Sequence, residues 1–165
     1  MAELPAVPAD GNVKVVLVAA IADPAEPSPT ELNGGVDISC YLTSDGFTPS
    51  LNEQTISDER LCSTATYEQP GRAQRSLDVV YIDNTNTAED NEAKETLVPG
   101  TAMYLVVRRG IAFGTTFAAT TQKVSVWPIK AGQYSDLPPE ANSVLKTAQK
   151  LFVTGEVHTD VVVTV

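Results

Sequence analysis

The sequence predicts a mainly β domain: two packed antiparallel sheets, sandwich-like or barrel-like, with one short helix laid on them. Three observations carry this. The apolar residues are mostly Val, Ala, Leu and Ile, accompanied by many Thr, a stock that suits strands. The apolar runs are short, partly alternating, and divided by Pro- and Gly-rich stretches. There is no internal repeat and no βαβ alternation, so a parallel sheet is not expected. A chain of 165 residues with 42% hydrophobic content is a one-domain length, read as one unit over 1–165. At that size folding buries roughly 70% of the unfolded surface, so a core forms without disulfides.

Residues 1–12 read as an extended arm, because Pro5 and Pro8 fix φ and remove donors and no apolar period is present. Val13–Ile21 is the first strand, apolar nearly throughout and so buried on both faces for part of its length. Residues 22–35 hold Pro24, Pro27, Pro29 and the pair Gly34-Gly35, and read as a loop. Val36–Thr43 alternates, with Val36, Ile38, Cys40 and Leu42 on one face, as a half-exposed strand does. Residues 44–71 are long, polar and irregular. A loop of that length is uncommon in a compact domain. Leu51, Ile56, Leu61 and Cys62 supply apolar groups too regularly for disorder, so the stretch should hold a strand or two and order against a partner. Gln74–Asp83 is a further strand.

The stretch from Thr87 to Gly110 reads as a helix followed by a strong strand. Asn86 or Thr87 caps the helix, and either choice places an acid, Glu89 or Asp90, at the third helical position. Asp90 and Lys94 stand four apart in the favourable order, and Pro99-Gly100 ends the helix. A helix of about ten residues is marginal alone, so Ala93, Leu97 and Val98 should contact the sheet. MYLVVRR is the strand beneath. Ile111–Thr121 is a Thr-rich connection. Lys123–Ile129 alternates, and Pro128 confines it to an edge or a strand end. Residues 131–143 form a loop. Val144–Val153 could belong to a helix starting at Pro138-Pro139, but strand character continues to the C-terminus and favours a strand, with a bulge or bend at Gly155.

The formal net charge of −10 excludes binding of nucleic acid through its phosphates, which needs clustered Lys and Arg, and disfavours anionic membrane surfaces. The apolar run at Val13–Ala22 is too short to span a bilayer, and the acidic N-terminus is the wrong sign for an export signal, so synthesis in the cytoplasm is expected. Cys40 and Cys62 sit in strand-like segments and read as buried free thiols. Neither has a CxxC or nearby His, so no metal site is expected. The single His158 alternates with valines and lacks a Ser or Cys partner. No HExxH, EF-hand, P-loop or GxGxxG is present. An enzyme is not expected, nor a cofactor. The basic clusters are Arg72/Arg75 and Arg108-Arg109.

Several phrases in order resemble one family: DISCYLTSDGFTPSLNEQTISDERLCSTATYEQPGR, the acidic helix before PGTAMYLVVRRG, then KVSVWPIKAG and QKLFVTGEV. They are similar to the major tail proteins, or tail tube proteins, of long-tailed non-contractile bacteriophages of actinobacteria. The resemblance runs from about residue 11 to 165 and implies two packed sheets flanked by a helix. It implies hexameric rings that stack into a hollow tube in the virion, with arms and long loops reaching the next ring. By position these are residues 1–12 and 44–71. It implies as partners the chain itself and the tape measure, tail-tip and tail terminator proteins, with DNA passing through unbound during ejection.

An acidic lumen would repel phosphate over about 8 Å at physiological salt. Charged residues on polar strand faces are the lumen candidates: Asp37, Asp78, Asp83, Glu156 and Asp160. Like-charged chains repel, so inter-subunit contacts need local compensation, for which Arg60, Arg72, Arg75, Arg108 and Arg109 are the candidates. Other readings are a tail terminator or head–tail joining ring, which stops at one ring, and a β-sandwich binding module. The arm and long loop favour the tube. A binding module would show an aromatic platform, and the one Trp, five Tyr and four Phe do not cluster.

Overall fold

The computed structural model, which describes residues 3–165, has eight strands, several of them rich in β-branched residues. They are β1 (Val13–Val18), β2 (Val36–Asp37), β3 (Leu42–Asp58), β4 (Tyr67–Ile82), β5 (Ala102–Arg109), β6 (Lys123–Asp136), β7 (Lys146–Val153) and β8 (His158–Val162). The first two positions of the expected arm lie outside the described residues. Every pairing is antiparallel, in the order β2-β1-β5-β6-β7-β4-β3, with β8 also on β6. The two expected layers are thus one continuous sheet, curled into an open half-barrel. The curl brings Val15 and Leu17 of β1 into the same core cluster as Leu77, Val79 and Tyr81 of β4, although three strands separate them in the order.

β6 makes the curl possible. One of its edges pairs with β5, while the other pairs with β8 over Lys123–Val126 and with β7 from Ile129 onward. Pro128 falls between those two partners, so the strand is central, neither at an edge nor ending there as expected from Pro128. In an antiparallel strand a residue's N and O point to the same side. The Pro128 carbonyl accepts from Thr154 N at 3.0 Å, so its missing N–H points into the gap between β8 and β7, where no strand needs it. Farther along, the β6–β7 register shifts between Ala131 and Tyr134. Gly132 lies in that shift, and a Cβ there would stand 2.6 Å from the Lys150 carbonyl.

Alternation gives each central strand two buried faces. The inner face carries Val15, Leu17, Leu105, Trp127, Ile129 and Leu151; the outer carries Val16, Val18, Val106, Val124 and Val126. Each face has a helical lid. The outer lid, α1 (Pro29–Asn33), lies in the stretch expected to be a loop. Ser28 and Glu31 cap it reciprocally: Ser28 N donates to Glu31 Oε2 (3.0 Å) and Glu31 N to Ser28 Oγ (3.4 Å), with Pro29 in the first turn. Leu32 is its buried contact.

The inner lid, α2 (Glu92–Thr96), follows a 3-10 turn at Ala88–Asp90 and is shorter than the expected helix. Its N-cap is Asn91, not Asn86 or Thr87. Asn91 makes no side-chain cap bond, because its Oδ1 accepts from Asn84 N instead. Ala93 and Leu97 are fully buried as expected, whereas Val98 is half-exposed. The 36–43 segment departs from its alternation. Val36–Asp37 pair with β1, Ile38 turns into the inner core, Cys40 lies exposed in the turn that follows, and Leu42 already pairs with Tyr81 as the start of β3. Cys62 is exposed as well, so the two thiols are free but not buried.

Candidate functional site

The residues of the expected long loop form the outer part of a hairpin. β7 pairs with β4 only from Leu77 to Ile82, while β3 and β4 stay paired from Ser50↔Ser76 out to Asp58↔Tyr67. Past β7 this ribbon is two strands wide. At about 3.3 Å per residue it projects roughly 30 Å. It carries Leu51, Ile56 and Tyr67 exposed along its length and Leu61 fully exposed at its tip. Two strands alone bury too little to be stable in water. At the tip Arg60 grips Asp58 with both Nε (3.0 Å) and a terminal nitrogen (2.9 Å).

The open sheet face lies beside the ribbon. Residues directly opposite in an antiparallel pair share a face. Thr48, Asp78 and Lys150 are opposite one another across β3, β4 and β7, as are Ser50 and Ser76, and Lys130 and Phe152 across β6 and β7. Asp78, Lys130, Lys150 and Phe152 are exposed. Where β7 leaves β4, a groove of about 560 Å³ is lined by Arg75, Ser76, Lys150, Phe152 and Glu156 among others. It holds no nucleophile with a base beside it.

Of the lumen candidates, Asp78 stands on this open face and Glu156 at its groove. Asp160 is exposed at the irregular pairing of β8, with φ at 54°. Asp37 lies on the far edge, bonded to Ser39 N (2.9 Å) and paired with Lys14 (3.5 Å). Asp83 is not a free surface charge. Its side chain is 12% exposed, and it accepts from Lys94 Nζ (2.7 Å), Thr147 Oγ1 (3.0 Å) and Thr85 Oγ1. Burial opposes its charge, but the bonds from Lys94, Thr85 and Thr147 outweigh it and draw the pKa down to about 2. Lys94 therefore pairs with Asp83, with Asp136 at 3.9 Å, and not with Asp90 as the spacing predicts. The clamp fastens α2 to the ends of β4 and β7. Beside it, the buried Gln149 amide donates to the carbonyls of Leu97 and Gly132 (2.8 Å each) and accepts from Tyr81 OH (3.1 Å).

The arginines divide likewise. Arg60, Arg72 and Arg109 are exposed, while Arg75 is half-buried over the Trp127 ring at 5.8 Å. Arg108 is a correction: it is fully buried within its own chain, on the outer sheet face, and cannot reach a neighbour. Alternation along MYLVVRR was the available signal, since Arg108 shares a face with Val106. The Ser28-Pro29-Thr30-Glu31 capping box was the signal for α1. Among the described residues no group of His, Cys, Asp and Glu is arranged to hold a metal, and no helix is long and apolar enough to cross a membrane.

The fold is similar to a chain in the cryo-EM structure of the anti-feeding prophage (AFP) baseplate, 6-fold symmetrised, with a TM-score of 0.52 at 12% identity over 95% of this chain and 96% of that chain. At that identity the likeness concerns the fold alone. No curated protein matches the sequence. The family described as phage tail tube protein matches residues 1–165. The chain therefore belongs to the phage tail tube protein family and is a structural protein of the virion tail, not an enzyme.

Proposed function

We propose that the chain polymerises as stacked hexameric rings into the hollow tail tube that conducts DNA during ejection, meeting the tape measure, tail-tip and tail terminator proteins at its bore and ends. The observation that carries this is the two-stranded ribbon. It is ordered along roughly 30 Å without a third strand, and a second copy of the chain supplies the burial it lacks. The free edge of β3 adds unpaired N–H and C=O groups for the same purpose. The similar baseplate chain comes from a 6-fold symmetrised assembly, which supports the hexameric ring.

The open face of β6, β7, β4 and β3 turns toward the lumen in this reading. Asp78 is its lumen carboxylate, among Ser and Thr hydroxyls that make no ionic grip on phosphate. The −10 charge of each chain supplies the wider repulsion, and Lys130 and Lys150 locally temper it. Arg72 and Arg109 are the exposed cations offered to neighbouring carboxylates, and Arg60 joins them only by sharing or leaving Asp58.

Negative-stain electron microscopy of the purified protein, fresh and after concentration with added salt, tests the reading. Long hollow tubes are expected, forming faster as salt screens the net repulsion. Rings that never stack would assign the chain to a terminator or joining role instead. A rate that falls steadily with salt would show that specific ion pairs dominate over net charge.

A further inference from the structure

Arg108 is buried with no carboxylate bonded to it. Its guanidinium donates to four neutral acceptors of the connection between β5 and β6: Ala112 O (3.0 Å), Thr115 O (2.8 Å), Thr116 O (3.2 Å) and Gln122 Oε1 (3.0 Å). It lies over the Phe117 ring at 4.9 Å. Its Nε has no hydrogen-bond partner among the described residues. A cation buried on neutral acceptors is costly to keep, and burial lowers its pKa while the more distant Asp37 charge raises it. A planar fork of five N–H donors serves diverging carbonyls as no other side chain does. The 110–122 connection has no helix or strand of its own, so these bonds shape it.

The same connection holds both chain ends. Gly110 N donates to Asn12 O (2.8 Å) and Phe113 N to Gly11 O (3.0 Å), which ties down the root of the N-terminal arm. Thr120 N donates to Val163 O (2.7 Å), and Gln122 O accepts from Val163 N (3.0 Å), which ties down the C-terminal stretch. We propose that Arg108 is a buried latch: a positioning residue that holds the 110–122 connection over the sheet and so sets where both chain ends leave the body toward further copies of the chain. The latch is a property of the single chain. Its consequence for assembly rests on the tube reading above.

Hydrogen exchange on the unassembled protein tests the latch, with Arg108→Lys and Arg108→Met as variants. Lys keeps the charge with fewer donors, and Met keeps the unbranched apolar stem with none. The amides of Gly110, Phe113 and Thr120 are expected to exchange about tenfold faster in Arg108→Lys and faster still in Arg108→Met, with smaller changes where β4 pairs β7. A uniform rise across all these amides would overturn the latch, because it would report only lost global stability. If Arg108→Met does not fold, Arg108→Lys carries the same comparison. The concentration needed for tubes should rise severalfold in Arg108→Lys. Loosened amides with unchanged assembly would overturn the positioning role. Failure of the unsubstituted chain to form tubes would count against the tube reading and leave the exchange test standing.

Discussion

At the centre of the sheet, β1, β5 and β6 are buried on both faces, under Leu97 on one side and Leu32 on the other. At its far edge, β3 and β4 run on past β7 with both faces open and Leu51, Ile56 and Tyr67 uncovered. The central strands pair along both edges and each ribbon strand along one, but the larger difference between the regions is what covers their faces. Net hydrogen-bond contributions are small, near 1 kcal/mol each, whereas a buried Leu or Val side chain contributes about 1.5–3 kcal/mol. The centre therefore holds itself, and the ribbon is held by whatever covers it.

The sharpest way to break this comparison is to remove the ribbon. Replacing residues 52–74 by a tight turn should leave the body folded, with stability in urea changed by less than about 1 kcal/mol, and should abolish tubes at concentrations where the full chain assembles. Collapse of the body would show that the ribbon supports the core. The next test pairs one substitution from each region. Leu97→Ala should cost about 2–5 kcal/mol in denaturant unfolding, and Ile56→Ala about 0.5 kcal/mol or less, while only Ile56→Ala should weaken assembly by more than it weakens the fold.

A smaller effect concerns the clamp that fastens α2. The folded-state pKa of Asp83, about 2, lies below the ordinary aspartate value of 3.8. Its stabilisation is therefore fully present above pH 4 and is lost as pH falls through 2. Allowing for partial solvation it is worth on the order of 1 kcal/mol. Asp83→Asn should flatten the acid limb of thermal stability between pH 4 and 2, and an unchanged limb would place the acid sensitivity elsewhere. The smallest effect is chemical. Cys40 and Cys62 are exposed, one near the body and one by the ribbon tip. Both should react with a thiol reagent in the folded single chain without denaturant. Protection of Cys62 alone upon assembly would place the ribbon tip against a neighbouring copy.

Much of this was legible from local pattern. VKVVLV, QRSLDVVYID, MYLVVRR and KVSVWPI became strands because β-branched alternation needs no long-range information. The helix on the inner face was legible in Ala93 and Leu97, though not its cap, since Asn91 is drawn away by Asn84 N. What failed depended on partners distant in sequence. Pro128 argues against a central strand until β7 and β8 are seen to part around it. Asp83 reads as a solvated carboxylate until Lys94 and Thr147 close on it.

The amino-acid order by itself determined the all-antiparallel β character, the positions of most strands, the capping box at Ser28 and the acidic balance. Each of these rests on neighbours within a few residues or on simple composition. Only the tertiary structure decided that the two layers are one curled sheet, that residues 50–58 and 67–76 project as a ribbon, and that Arg108 is buried while Arg109 is exposed. Those outcomes turn on which surfaces meet, and burial is a property of the meeting surfaces and not of either segment alone.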